Sequence, residues 1–411
     1  MTTSWEYRYA QRTKGMQSSI IREILKVTSQ PDMISLAGGM PAPELFPLEK
    51  VEEACLRVLR NLGADALQYS TTEGYPPLRE FIVEKMSRYG IVASVDNVLI
   101  TAGSQQALDL VGKVLLDPGD VIITEAPTYV GAIQAFTAYQ ASYATVPLDD
   151  DGMVVDLLEE KIIETHPKFI YVLPNFQNPG GVTLSEERRE RLVSLARQYG
   201  VPLVEDDPYG ELRFEGEHIP PVVVIGANRN GEQREGYFKG DVIYMSTFSK
   251  TLSPGLRLGW IVAPVEVLKK LVQAKQGADL HTSTFSQMVA YQVITDGFLE
   301  KHVQEIRETY RQRRDAMLGS LDRYFPGEVS WTQPQGGLFL WVQLPEGVDC
   351  LEVLDDAIEE KVVFVPGTAF FPDGRGRDAL RLTFATCSTD MIDEGIRRLG
   401  TAITHRMKQP A

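Results

Sequence analysis

The sequence predicts an α/β fold, and three observations support this assignment. Short apolar runs rich in Val and Ile recur through the middle of the chain. Amphipathic helical patterns separate these runs, an order typical of a mainly parallel sheet covered on both faces. After about residue 290 the pattern changes to one long polar helix followed by short strands. We therefore expect a large α/β domain and a smaller α+β domain.

The individual elements follow from local patterns. Buried strands are predicted for the apolar runs at 98–101, 121–125, 169–173, 201–205, 242–247 and 258–262. Helices are predicted over 104–116 and from Thr183 to Gly200, where Thr183-Leu184-Ser185-Glu186 is a capping-box pattern. The second region contains a helix over 298–324 and strands over 337–343 and 380–384. We divide the chain into an N-terminal arm (1–45), a large domain (46–290) and a small domain (291–411).

Composition limits the possible partners. The 411 residues include 41 basic and 56 acidic side chains, a net charge of −15, which disfavours nucleic acid and anionic membranes as partners. The start of the chain lacks the pattern of a signal peptide, and no run approaches the ~18 apolar residues of a membrane-spanning helix. Cys55, Cys350 and Cys387 are far apart and suggest neither a disulfide framework nor a metal site. We expect a cytoplasmic protein without a bound metal.

Polar and reactive side chains follow five of the predicted strands, where ligands bind in open α/β sheets. They are Ser104 and Gln105, Tyr129, Asn178, Asp206 with Tyr209, and Lys250 with Arg257. A helix N-terminus with a nearby arginine suits a phosphate ester, and a lysine shielded from water can act as an amine nucleophile toward an aldehyde. An aspartate can keep a ring nitrogen protonated. Together these groups meet the requirements of pyridoxal 5′-phosphate.

Several motifs carry a family resemblance over nearly the whole chain, from Leu36 to Arg381. Ser246-Thr247-Phe248-Ser249-Lys250 with Arg257, Asn178-Pro179-Gly180-Gly181 and Asp206-Asp207-Pro208-Tyr209 resemble the motifs of fold-type I aminotransferases of class I/II. Leu36-Ala37-Gly38-Gly39-Met40-Pro41 and Gln276-Gly277-Ala278-Asp279-Leu280-His281 are similar to the 2-aminoadipate/kynurenine branch. The resemblance implies the fold-type I transferase fold of α/β class, with a mainly parallel seven-stranded sheet in the large domain. One departure is Gly180, where the family usually has Thr.

The resemblance also implies roles for individual residues. Lys250 would form the Schiff base with the cofactor and carry the catalytic proton. Asp206 matches the partner of the ring nitrogen, Asn178 and Tyr209 the partners of the ring oxygen, and Tyr129 the stacking aromatic. The phosphate would be held by Ser104, Gln105, Thr247, Ser249 and Arg257, and by Tyr69 of a neighbouring subunit. A homodimer is therefore expected. Ala126-Pro127 and Asn178-Pro179 are candidate cis bonds by the same likeness.

The expected substrates are an amino acid and a 2-oxo acid. Arg381 matches the family arginine that binds the substrate α-carboxylate, and Gly39 lies where the backbone closes over the substrate. Ser19 and Arg22 are three residues apart on one side of a predicted helix, and in the aminoadipate branch the matching residues contact the distal carboxylate. We therefore favour 2-aminoadipate and glutamate with 2-oxoglutarate, and aromatic or leucine-like amino acids as tolerated substrates.

Three alternatives remain open at this point. The same fold could serve an aromatic, aspartate or branched-chain aminotransferase. It could instead catalyse another pyridoxal phosphate reaction, such as a β-lyase reaction that cleaves C–S bonds and needs no oxo-acid acceptor. A binding-only regulator would add an N-terminal helix-turn-helix, for which we expect no room because the aminotransferase likeness begins within the first few dozen residues.

Overall fold

The computed structural model describes residues 4–16, 24, 30, 32–229, 238 and 240–409. Within this part of the chain the helices are α1 Leu48–Ala66, α2 Pro76–Arg88, α3 Ser104–Leu115, α4 Val130–Thr137, α5 Leu158–Thr165, α6 Glu186–Gln198, α7 Val222–Arg229, α8 Val265–Asp279, α9 Thr284–Ile294, α10 Phe298–Tyr324, α11 Cys350–Glu359 and α12 Thr389–Met407. The strands are β1 Ile34–Ser35, β2 Val98–Thr101, β3 Val121–Ala126, β4 Ser142–Asp149, β5 Gly152–Met153, β6 Ile170–Val172, β7 Leu203–Asp206, β8 Val242–Thr247, β9 Gly259–Val262, β10 Ser330–Trp331, β11 Phe339–Gln343, β12 Val362–Val363, β13 Val365–Pro366 and β14 Ala379–Thr383. The predicted α/β class is confirmed.

The largest sheet has eight strands in the order β2-β9-β8-β7-β6-β3-β4-β5. The five strands from β8 to β4 are parallel, and β9 runs antiparallel to both of its neighbours. The expected number of seven strands is wrong by one. The additional strand is β5, a two-residue hairpin return beside β4 that turns through Asp150 and Asp151 and places Gly152 at a φ of +89°.

The predicted elements agree closely with the observed ones. All six strands predicted in the large sheet are present with ends within two residues of the prediction, whereas β4 and β5 were not predicted. The helix at 298–324 has the predicted bounds. The capping-box pattern acts two residues later than expected, because Ser185 Oγ accepts the backbone N–H of Arg188 and begins α6. Thr183 Oγ1 instead accepts the N–H of Phe176.

Both faces of the large sheet are buried, as expected for parallel strands flanked by helices. Alternate residues of β2 show this directly: Val98 and Ile100 belong to one apolar core with Ile82 of α2, and Leu99 belongs to another with Leu108 of α3. A sheet buried on both sides leaves its strand ends as the places where polar side chains can reach a ligand.

A second sheet forms the core of the C-terminal region, with the order β10-β11-β14-β13. Helices α10, α11 and α12 contribute apolar residues to its core. The short strand β1 pairs in parallel with β12, so the segment 34–39 leaves this region and enters the space between the two sheets. The division of the chain at residues 45 and 290 stays a prediction. In the part of the chain described, no helix is both long and apolar enough to cross a membrane.

Candidate active site

A cavity of about 360 Å³ lies at the carboxyl ends of the central strands of the large sheet. Since β8, β7, β6 and β3 are adjacent and parallel, the segments that follow them meet at one edge. Twelve of the residues predicted for the site line this cavity: Gly39, Ser104, Gln105, Tyr129, Asn178, Asp206, Tyr209, Thr247, Ser249, Lys250, Arg257 and Arg381. The structure therefore brings together residues that are up to 342 positions apart in the sequence, the separation of Gly39 and Arg381.

Lys250 follows the end of β8 and is half-buried in the cavity wall. Its Nζ donates to the carbonyl oxygen of Gly39 over 2.7 Å, and no carboxylate pairs with it in the part of the chain described. Burial, together with the positive charges of Arg381 and Arg257, lowers the Lys250 pKa to about 8. The neutral amine is the form that can attack a carbonyl. Near neutral pH it is thus far more populated for Lys250 than for an exposed lysine.

Asp206 ends β7 and is the middle member of three consecutive acids. Its Oδ2 accepts the phenol of Tyr171 at 2.8 Å, while its buried Oδ1 has no partner among the described residues. Glu205 accepts the backbone N–H groups of Val222 and Val223, and neither it nor Asp207 lines the cavity. Burial raises the Asp206 pKa to about 7. A cation placed at Oδ1 would stabilise the carboxylate form.

Two side chains with hydrogen-bonding groups lie beside this acid. Asn178 Nδ2 donates to the Tyr209 hydroxyl over 3.4 Å, and both residues are buried. Tyr129 stands at the N-terminus of α4, where its ring lies over Gly131: a Cβ at Gly131 would come within 2.5 Å of the ring. Ala126-Pro127 and Asn178-Pro179 are both cis, as expected.

The N-terminus of α3 and Arg257 form the polar end of the cavity. The helix begins at Ser104 after Gly103, whose φ is +79°. A Cβ at Gly103 would lie 2.5 Å from Nη2 of Arg257, so only glycine allows the guanidinium to approach the helix start. On the strand side, the hydroxyls of Thr247 and Ser249 lie 2.9 Å apart. Unpaired helix N–H groups, hydroxyls and a guanidinium are the groups that bind phosphate.

Arg381 reaches the same cavity from β14 of the second sheet. It is 2% exposed, donates from Nη1 to Asn178 Oδ1 at 2.8 Å and from Nη2 to the Ala37 carbonyl at 2.6 Å, and has no partner at Nε. The guanidinium carbon of Arg381 lies 4.2 Å from the ring centre of Phe339 and 5.0 Å from the ring centre of Phe370. Burial lowers its pKa to about 10, so it is a cation at neutral pH. Within the described chain no carboxylate pairs with it, which leaves it able to bind an anionic ligand.

Three predicted residues are not in this cavity. Tyr69 is 79% exposed, and its ring contacts His281 edge-on. It does not line the cavity of its own chain, and its exposure leaves it available for a contact with another subunit. Ser19 and Arg22, the predicted contacts of a distal carboxylate, lie outside the described residues.

Sequence reasoning missed several supporting residues. Tyr171 was assigned only to a buried strand, although a phenol within an aliphatic run needs a polar partner and this could have revealed it. Glu125 and Gln177 were also missed: Gln177 Nε2 donates to Glu125 Oε2 at 3.1 Å and to the Pro127 carbonyl at 2.8 Å, linking the loops that carry Tyr129 and Asn178. Phe339 was missed because its role depends on the distant Arg381.

A wider cleft of about 670 Å³ lies elsewhere between the two sheets. Its arginines are already paired, Arg375 with Asp373 and Arg377 with Asp349. None of the predicted site residues lines it. We therefore place the chemistry in the smaller cavity.

The smaller cavity brings together a lysine with a lowered pKa, a buried carboxylate and groups of the kind that bind phosphate. The buried, unpartnered Oδ1 of Asp206 and the glycine-lined approach of Arg257 to α3 fit pyridoxal 5′-phosphate. The family model described as "Aminotransferase class I and II" matches residues 31–399, and the chain belongs to this family. Its members depend on pyridoxal phosphate, so the protein is a pyridoxal phosphate-dependent aminotransferase that uses amino and oxo acids.

Named relatives cover almost the whole chain. The chain is 46% identical to the aromatic-amino-acid aminotransferase 1 of Thermococcus litoralis, over 99% of this chain and 97% of that protein. It is also 46% identical to the 2-aminoadipate transaminase of Thermus thermophilus, over 97% of each. The crystal structure of the α-aminoadipate aminotransferase LysN from Thermus thermophilus, in complex with N-(5′-phosphopyridoxyl)-L-leucine, has a TM-score of 0.91 at 45% identity and covers 98% of this chain and 99% of that one.

Proposed function

We propose that the enzyme transfers the amino group of L-2-aminoadipate or L-glutamate, with 2-oxoglutarate as the partner oxo acid, and that it tolerates aromatic or leucine-like amino acids. The observation that carries this proposal is the buried Arg381, which no carboxylate of the described residues pairs with, in the same cavity as Lys250 and Asp206. Relatives at 46% identity named for 2-aminoadipate and for aromatic amino acids support the breadth of the substrate class.

Lys250 is the proposed catalytic residue. With pyridoxal phosphate bound, the neutral amine of Lys250 would be the group that holds the cofactor covalently through its aldehyde carbon. Once a substrate amine takes its place, the free Nζ would accept the proton from the substrate Cα and would be the donor for its return to C4′ of the cofactor. Burial, with the positive charges of Arg381 and Arg257, keeps the Lys250 pKa low, so the neutral amine is available to accept this proton.

The other proposed contacts hold the cofactor in place. Asp206 Oδ1 would pair with the ring nitrogen, Asn178 and Tyr209 would bind the ring oxygen, and Tyr129 would cover the ring. The phosphate is bound by Ser104, Gln105, Thr247, Ser249 and Arg257. Bound in this way, pyridoxal phosphate supplies an electron-withdrawing ring that accepts the electron pair of the broken Cα–H bond.

Two arginines determine the proposed substrate class. Arg381 binds the α-carboxylate, with Phe339 and Phe370 holding the guanidinium plane. Gly39 closes over the substrate from the segment that follows β1. Arg22, together with Ser19, binds a distal carboxylate, which would favour dicarboxylic amino acids over apolar ones.

We further propose that the enzyme is a homodimer in the cytoplasm, with Tyr69 of each subunit at the phosphate site of the other. Exposed leucines that precede Tyr69 in the chain support this arrangement: Leu48, Leu56 and Leu59 lie on α1, and Leu67 follows its end. Leu56 and Leu59 are three residues apart and share a side of the helix. Cell fractionation tests the location.

The decisive experiment records the visible absorption of the purified enzyme with bound pyridoxal phosphate while single amino acids are added without an oxo acid. Glutamate and 2-aminoadipate should remove the absorption band, and 2-oxoglutarate should restore it. Removal only by aromatic or branched amino acids would contradict the dicarboxylate assignment. Pyruvate and ammonia formed from a β-substituted amino acid without an acceptor would instead identify a β-lyase.

A further inference from the structure

A buried tyrosine contacts the acid of the cavity from within the sheet. Tyr171 of β6 is fully buried and donates its hydroxyl to Oδ2 of Asp206 on the adjacent strand β7. Its ring packs edge-on against Phe136, with the ring centres 5.8 Å apart, so apolar contacts fix the phenol. Asp206 lines the cavity and Tyr171 does not. One carboxylate oxygen is thus occupied by the sheet, and the other is left for a ligand.

We propose that Tyr171 is a positioning residue for the cofactor: its hydroxyl fixes the Asp206 carboxylate and stabilises its anion, so that Oδ1 is presented to the protonated ring nitrogen. This inference rests on the role of Asp206 proposed above. A hydrogen bond to an ionised group is stronger than one between neutral groups, so loss of this donor should weaken the pairing of Asp206 with a cation. Burial opposes ionisation of Asp206, and the Tyr171 hydrogen bond lowers the pKa of the carboxyl against that effect.

The neighbouring strand provides a matched control. Tyr244 of β8 is also fully buried and donates its hydroxyl to a carboxylate, Oδ2 of Asp207, over 3.2 Å. Asp207 also accepts Asn175 Nδ2 and the Gly210 N–H, each at 2.9 Å, and it does not line the cavity. Tyr171→Phe and Tyr244→Phe therefore delete the same chemical group from adjacent strands, but only the first affects the acid that faces the ligand.

The experiment compares the affinity of each apoenzyme for pyridoxal phosphate with its affinity for the analogue in which carbon replaces the ring nitrogen. The parent enzyme should prefer pyridoxal phosphate, and Asp206→Asn should lose most of this preference. Tyr171→Phe should reduce the ratio of the two affinities about tenfold. Tyr244→Phe should keep the parent ratio. Thermal unfolding of each apoenzyme checks that the variants are folded.

The outcomes separate the two assignments. A reduced ratio in Asp206→Asn with an unchanged ratio in Tyr171→Phe would overturn the role of Tyr171 and leave Asp206 in place. An unchanged ratio in Asp206→Asn would overturn both. Equal reductions in the two Tyr→Phe variants would indicate general loosening of the sheet and overturn the proposal. The variant that carries both Tyr171→Phe and Asp206→Asn should have the same affinity ratio as Asp206→Asn alone, because contacts in one network are not additive.

A second substitution at the same position, Tyr171→His, keeps a ring and an N–H donor. This variant should retain more of the preference for pyridoxal phosphate than Asp206→Asn. An equal loss in the two variants would also overturn the proposal.

Discussion

Nη1 of Arg381 donates to Oδ1 of Asn178 over 2.8 Å. This hydrogen bond joins β14 of the four-stranded sheet to the loop that follows β6 of the eight-stranded sheet. Since Nδ2 of the same asparagine donates to the Tyr209 hydroxyl, the proposed carboxylate site and the proposed ring-oxygen site share one residue. The position of the substrate relative to the cofactor therefore depends on how the two sheets are placed.

Replacement of Arg381 tests the carboxylate assignment. Arg381→Lys should lower kcat/KM for glutamate about 100-fold, because an ammonium cannot form the planar two-point contact with a carboxylate. Steady-state kinetics measure the loss. Arg189→Lys is the control, since Arg189 is equally buried but donates mainly to backbone carbonyls away from the cavity. That variant should lose stability and keep its KM. An unchanged kcat/KM for Arg381→Lys would contradict the assignment.

The Lys250 pKa of about 8 predicts how cofactor capture depends on pH. Only the neutral amine attacks the aldehyde, so the rate of reconstitution of the apoenzyme should rise with pH and reach half its maximum near pH 8. Removal of the Arg381 charge raises the Lys250 pKa, and Arg381→Met should shift the midpoint to higher pH. Stopped-flow absorbance measures the rate of reconstitution at each pH for the parent enzyme and for Arg381→Met. The exposed Arg375→Met variant should keep the parent midpoint, and a midpoint unaffected by Arg381→Met would refute the electrostatic cause.

Gly103 tests the phosphate site. Gly103→Ala places a Cβ 2.5 Å from Arg257 Nη2, so the guanidinium must move and affinity for pyridoxal phosphate should fall about tenfold or more. The substitution also strains a residue with φ of +79°, at a cost of about 1 kcal/mol or more. Gly119→Ala carries the same type of strain at φ +91° with no atom within 4 Å of the new Cβ. Gly119→Ala should lower the stability of the protein and leave its affinity for pyridoxal phosphate unchanged. Equal affinities of Gly103→Ala and Gly119→Ala for pyridoxal phosphate would argue against Arg257 as a phosphate contact.

The exposed leucines of α1 test the homodimer. Leu56→Glu combined with Leu59→Glu should convert a dimer to monomers, because two charges would be buried without partners at the interface. Light scattering gives the mass, and a monomer should also bind pyridoxal phosphate more weakly because it lacks the partner's Tyr69. Leu157→Glu, at a leucine of similar exposure outside α1, should leave the mass unchanged. A dimer that survives the double substitution would place the interface elsewhere.

Arg22 tests the substrate class. Arg22→Ala should reduce the preference for glutamate and 2-aminoadipate over leucine and phenylalanine about tenfold, because a distal carboxylate would lose its charged partner. The ratio of kcat/KM values measures this preference, and Arg8→Ala, in the exposed segment before it, is the control. If the ratio is unchanged in Arg22→Ala, the second-carboxylate role is wrong, whereas the assignments of Lys250 and Arg381 are unaffected.

The sequence by itself determined the fold class, six of the eight strands of the large sheet and twelve residues that line the cavity. For the residues that follow the strands of the large sheet this was possible because parallel strands are continuous apolar runs whose carboxyl ends meet at one edge. Gly39 and Arg381 were predicted only from the family resemblance. Asp206 could be distinguished from Glu205 and Asp207 by its three-residue spacing to Tyr209, and the structure places Asp206 alone of the three acids in the cavity.

Other relationships were decided only by tertiary structure. The pairing of Tyr171 with Asp206 depends on the order of adjacent strands, and the stacking of Phe339 on Arg381 depends on the antiparallel register of β11 with β14. The Lys250 pKa is lowered first by burial between the elements of the fold and then by the charge of Arg381, which approaches from the other sheet. Such contacts join residues far apart in the chain, and no local pattern encodes them, because burial and charge act through space rather than along the sequence.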